Sequence, residues 1–114
     1  MQGTHLFSMQ VASGASRYPK AGTNQGSATA ADSPVQNTVV QEIIGVLVET
    51  AGSVAGTLTI DNHAANSGEA IVIATPTTVG FIAFPAAGIP TGGFKGVKVT
   101  QTGTGQVVRV ICRS

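Results

Sequence analysis

The chain has few side chains able to do chemistry, and their spacing limits what they can do. Its histidines are His5 and His63, and its carboxylates are Asp32, Glu42, Glu49, Asp61 and Glu69. A serine nucleophile needs a base within hydrogen-bond reach and a turn that presents its hydroxyl. His63 with Asp61 or Asp32 would supply the base and the acid that orients it, but the sequence has no Gly-x-Ser-x-Gly elbow. Asp61 and His63 sit in a run of turn-forming residues, where they more simply favour a turn and solvation. No two carboxylates are close enough in sequence to form a local acid/base pair. Asp61 to Glu69 has oxygen donors suited to calcium, but an EF-hand needs glutamate at its twelfth position, where Val72 stands. Cys112 and two scattered histidines cannot build a zinc site within one chain. Gly88 to Lys95 resembles a phosphate-binding loop until Phe94, which occupies the place of the required lysine, and a strand pattern follows instead of a helix. The expectation is a chain with no catalytic residue, no cofactor and no metal, and with Cys112 as a small buried hydrophobe.

The elements that would position these residues are strands. Near residue 38 a polar ribbon rich in Gly, Ala, Ser and Thr gives way to short Val/Ile/Thr runs, each cut by glycine or proline. Residues 1–38 therefore read as a long extended N-terminal arm, and 39–114 as the folded domain. Within the arm, Phe7-Ser8-Met9-Gln10-Val11 alternates apolar and polar, which is a short strand pattern. Five residues cannot hold themselves, so this strand must pair with something, and Phe7, Met9 and Val11 are expected to dock on a neighbouring subunit.

In the body, Val39 to Thr50 is the longest run, with Val40, Ile44, Val46 and Val48 on one face and Val39, Ile43 and Leu47 on the other. Strands follow at Thr57 to Ile60, Ala70 to Thr75, Val79 to Phe84, Phe94 to Gln101 and Gln106 to Arg113, with Phe81 and Phe84 expected in the core. Phe94 and Val97 cannot share a face of a regular strand, so a bulge is expected at Gly96. In the last strand Val108, Val110 and Cys112 face the core, which leaves Val107 and Ile111 outside among arginines as candidates for a subunit contact. No helical stripe is present. The fold class expected is all-β, a small antiparallel β-sandwich or jelly-roll-like barrel.

Composition narrows the partners. Charged residues are 10% of the chain and hydrophobic residues 42%, against about 25% charged in an average soluble domain. Net charge is +1, and Arg17, Lys20, Lys95, Lys98, Arg109 and Arg113 form no run, so no nucleic-acid partner is expected. No stretch reaches the ~18–20 apolar residues of a membrane span. The first residues lack a basic n-region with an unbroken apolar core, so cytoplasmic synthesis without a signal peptide is expected. A body of about seventy-five residues is marginal alone, and one cysteine allows no internal disulfide. Self-association is the expected reinforcement.

Three segments carry a family resemblance: Gly56-Thr57-Leu58-Thr59-Ile60-Asp61-Asn62, then Gly68-Glu69-Ala70-Ile71-Val72-Ile73, then Gly93 to Val110 with its Val97-Lys98-Val99-Thr100-Gln101-Thr102-Gly103-Thr104-Gly105 core. Together they resemble small β-sandwich virion proteins of tailed bacteriophages, over roughly Val39 to Arg113. The resemblance implies a structural protein of the virion, foremost a head decoration (cement) protein that binds the major capsid protein or other virion subunits. It also implies a homo-oligomer with a trimer favoured. The alternatives are a small tail, fibre or connector subunit, or a carbohydrate- or host-surface-binding module, for which the chain lacks tryptophan.

Overall fold

A computed structural model describes residues 6–20, 24–25, 39–63, 68–82 and 88–114, and among them every regular element is a strand. The strands are β1 (Leu6–Ala12), β2 (Ser16–Arg17), β3 (Asn24–Gln25), β4 (Val39–Thr50), β5 (Gly56–Asp61), β6 (Ala70–Thr75), β7 (Gly80–Phe81), β8 (Ile89–Lys95), β9 (Lys98–Gln101) and β10 (Val107–Arg113). One sheet runs β3-β1-β10-β4-β7, with β8 also on β4; the other runs β2-β9-β5-β6. Every pairing is antiparallel except β1 with β3. The expected small antiparallel sandwich is the observed fold.

The core lies between the sheets and follows the period-2 alternation of the strands. The first sheet contributes Val40, Ile43, Val46 and Val48 from β4 and Val108, Val110 and Cys112 from β10. The second contributes Leu58 and Ile60, Ile73, and Val99, all buried. The alternation expected for β10 is the one found.

Phe7, Met9 and Val11 correct the sequence-based expectation. They do not project from an arm; each is at most 1% exposed in the chain's own core. Their strand pairs along the full length of β10, with Phe7 opposite Cys112, Met9 opposite Val110 and Val11 opposite Val108. An isolated strand must find a partner, and the partner here is about a hundred residues away in the same chain, a distance local periodicity does not register. Residues 6–20 therefore belong to the sandwich. The rest of the expected arm, apart from Asn24–Gln25, lies outside the described residues.

Two further faces differ from expectation. The β4–β10 ladder shifts register between Ile111 and Cys112, and a second irregularity against β8 falls between Val40 and Glu42. A bulge adds one residue to a strand and so flips every later side chain. Ile43 is therefore the buried residue and Ile44 is only half-buried. At Gly96 the chain does not bulge within one strand. It leaves β8 in the first sheet and enters β9 in the second, so Phe94 and Val97 both reach the core. Gly96 makes this crossing at φ 55, where a Cβ would be strained.

Cys112 is buried among apolar neighbours, and desolvation of its thiolate pushes the thiol up to about 12 from 9.0. Burial favours the neutral form, so its contribution to stability is complete below pH 9 and is lost as pH rises from about 9 to about 12. Urea denaturation above pH 9 should show wild-type stability falling more steeply than that of Cys112→Val, by up to about 1.4 kcal/mol per pH unit. Parallel curves would show the thiol to be exposed to water.

Met9→Ala should lower unfolding free energy by about 2–5 kcal/mol, and deletion of residues 2–20 should abolish cooperative unfolding monitored by circular dichroism. A truncated chain that melts at the wild-type midpoint would return β1 to the status of a free arm.

Candidate interaction surface

The outer face of the first sheet gathers the residues that the core does not use. On β10 these are Val107, Arg109, Ile111 and Arg113, all half-buried. Across the ladder, Arg113 lies beside Glu42, Ile111 beside Gly45 and Arg109 beside Leu47. Strand β7 sets Phe81 opposite Leu47, and Phe81 is 71% exposed, which corrects the expectation that it belongs to the core. Strand β7 is only two residues long, and its outward position leaves the ring over the sheet surface; Phe84 lies outside the described residues. Gly45 supplies the floor: a Cβ there would stand 3.9 Å from the Phe81 ring and 4.0 Å from Ile111 Cδ1. The result is a flat apolar strip made of Phe81, Gly45, Leu47 and Ile111.

Charges border this strip in compensated pairs. Arg109 Nε donates to Glu49 Oε2 at 3.2 Å, and its guanidinium also donates to Ser8 Oγ at 2.8 Å. Gln10 Nε2 donates to the other Glu49 oxygen at 2.7 Å, so the network spans β1, β10 and β4. Arg113 Nε donates to Glu42 Oε1 at 2.9 Å. The side chains of both ion pairs keep 24–34% of their exposure, so each adds at most about 1 kcal/mol to stability. Their larger effect is to neutralise the charges next to the strip; the exposed Lys95 stands on the same sheet at the far end of β4, opposite Val39.

The remaining candidates from the sequence are not brought together. His63 meets Tyr18 in a tilted ring contact, with centroids 5.6 Å apart and planes at 59°, while Asp32 and His5 lie outside the described residues. Around the Asp61–Glu69 segment, Asn62 Nδ2 donates to Glu69 Oε1 at 3.1 Å and Asn62 Oδ1 accepts from the Lys95 amide at 2.8 Å. These groups hold the ends of the hairpin together. Among the described residues no three His, Cys, Asp or Glu side chains converge on a metal-sized space. In the Gly88–Lys95 stretch, the amides of Gly93 and Phe94 donate to Thr91 Oγ1 at 3.1 and 3.2 Å, which engages the groups a phosphate would use.

A cluster of buried amides, unmarked by any pattern in the sequence, joins β6 to the turn before β10. Gln106 Oε1 accepts from Thr75 Oγ1 at 3.0 Å and from Gln101 Nε2 at 2.7 Å. Gln106 Nε2 donates to the carbonyls of Thr75 and Pro76. All three side chains are at most 1% exposed, and Gln101 Oε1 has no hydrogen-bond partner among the described residues. Gln106 joins the end of β6 to the turn before β10. The one available signal was its place directly after Gly103-Thr104-Gly105, where a turn returns the chain to the core.

No protein-family model, curated protein or solved structure matches the chain.

Gln106→Ala would strand Thr75 Oγ1 and one N–H of Gln101 Nε2, whose other N–H still donates to the Thr102 carbonyl, at about 1–3 kcal/mol for each group left unpaired. Phe81→Ser should change stability by no more than about 0.5 kcal/mol, because its ring is already in solvent. Urea midpoints of the two variants check the contrast, and equal losses would mean that the Phe81 ring is packed.

Proposed function

We propose that the protein is a non-catalytic structural subunit of a tailed-phage virion, foremost a capsid decoration protein. The observation that carries this reading is the strip on the outer face of the first sheet, where Phe81, Leu47 and Ile111 are presented between arginines already paired with Glu49 and Glu42. A large exposed aromatic beside aliphatic groups, ringed by neutralised ions, has the chemistry of a protein–protein contact. Low overall charge and the sequence resemblance to small β-sandwich virion proteins support the same role. Val107 and Ile111 belong to this contact surface. Phe7, Met9 and Val11 do not, because they are used inside the fold.

The partners proposed are the major capsid protein or other virion subunits, with a homotrimer as the soluble form and the virion as the location. Decoration of this kind spreads modest contacts over many subunits, so avidity replaces one tight site. A sugar-binding module is less well supported. Phe81 would serve as its platform, but the side chains around the ring are apolar, and Glu42 and Glu49 are held by arginines.

Ile111→Lys places an unpaired charge beside Phe81 and should leave the fold intact while weakening subunit contacts at least tenfold. Light scattering at micromolar concentration and co-sedimentation with heads assembled without the protein measure the effect. A wild-type chain that is monomeric in solution and fails to sediment with heads would overturn the proposal.

A further inference from the structure

Strand edges present unpaired N–H and C=O groups, and proteins that must stay single blunt them with short strands, proline, lysine or bulges. Most edges here are blunted. Strands β2, β3 and β7 are two residues each. Strand β8 carries Pro90, Lys95 and two glycines at positive φ, 79 and 98. Strand β6 is the exception. It ends the second sheet, pairs only with β5 among the described residues, and runs regularly for six residues, Ala-Ile-Val-Ile-Ala-Thr. It contains no charge, no proline and no register shift. Its outward face is also apolar, with Ala70 and Ala74 exposed and Val72 63% exposed.

We propose that β6 pairs antiparallel with β6 of a second copy across a two-fold axis through Val72, joining the two four-stranded sheets into one. The strand is complementary to itself in that register. Side chains directly opposite must share a face, and a centre at Val72 sets Val72 against Val72, Ala70 against Ala74 and Ile71 against Ile73. Glu69 then falls opposite Thr75, so no like charges meet. Pro76, which cannot donate, lies opposite Gly68 beyond the end of the strand. A centre at Ile73 would instead bring Pro76 inside the ladder opposite Ala70, which removes a bond. A two-fold contact of this kind uses up both edges that meet in it and leaves no free β6 edge for further strand addition, whatever contacts the outer face of the first sheet makes. This contact is separate from the outer face of the first sheet and does not depend on a virion role.

Val72→Lys and Val72→Glu test it, because each variant alone sets like charges across the axis and an equimolar mixture sets opposite ones. Analytical ultracentrifugation should show each variant associating at least tenfold more weakly than wild type, with the mixture recovering most of the loss. Val72 is exposed, so circular dichroism should show both variants folded. In wild-type protein, amide exchange within residues 70–75 should slow as concentration rises, and Ile111→Lys should leave that protection unchanged while weakening any outer-face contact. Single variants that associate like wild type, a mixture no tighter than either alone, or exchange at 70–75 independent of concentration would each overturn the β6 contact.

Discussion

Strand β10 lies between β1 and β4, and this placement of the last strand between the first and the longest organises the molecule. One ladder runs Phe7–Cys112, Met9–Val110 and Val11–Val108. The other runs Cys112–Ile43, Val110–Val46 and Val108–Val48. Each inward side chain of β10 is thus flanked on both sides by an apolar partner, a three-wide apolar floor on which the second sheet rests. Closing a pairing over nearly the whole chain costs entropy, but the cost grows only with the logarithm of the loop, so separation alone does not forbid it. Phe7, Met9 and Val11, burying side chains worth about 1.5–3 kcal/mol each, offset it.

The same strand fixes the opposite face. Because period 2 sends Val108, Val110 and Cys112 inward, it must send Arg109, Ile111 and Arg113 outward, and the glutamates of β4 lie where they meet these arginines. The bulge near Ile43 keeps the faces in step past the register shift at Ile111, and it brings Gly45 rather than a larger residue opposite Ile111. Had the strand run straight, Ile44 would have been the buried residue, as its spacing from Val46 and Val48 suggests. The flat strip beneath Phe81 is therefore a consequence of how the ladder is bent.

Much of this fold was legible in the sequence, and what was missed has physical causes. The spans of β4 and β6, the alternation of β10 and the burial of Cys112 follow from hydrophobic periodicity, which is a local property. The role of β1 was not legible, because Phe7-Ser8-Met9-Gln10-Val11 specifies a strand but not its partner. Bulges leave no mark on a pattern of similar side chains, so Ile43 and Ile44 were exchanged. Phe81 was misplaced because aromatic size argues for burial, whereas a two-residue edge strand cannot cover what it carries. Gln101 and Gln106 read as polar flanks of a turn, since an amide buried with its partners looks like a solvated one in sequence. For the candidate surface, Val107 and Ile111 were found as outward residues, but the exposed ring and the glycine that complete the strip were not.

The scarcity of charge takes on meaning from where the charges sit. Glu42 and Glu49 hold Arg113 and Arg109 across the outer face, Glu69 accepts from Asn62 at the hairpin, and Arg17, 2% exposed, donates to the carbonyl of Gln10 from the edge of the opposite sheet. These ionic groups are engaged in holding strands together. A surface whose ions are already paired loses less when water is removed than one with isolated charges, because the pair leaves solvent with much of its field cancelled. The strip around Phe81 is thus cheap to cover, and the edge of β6 carries no charge that would resist an approaching backbone. On the reading proposed above, these two surfaces are where another protein would dock, while the cysteine and the buried amides stay enclosed.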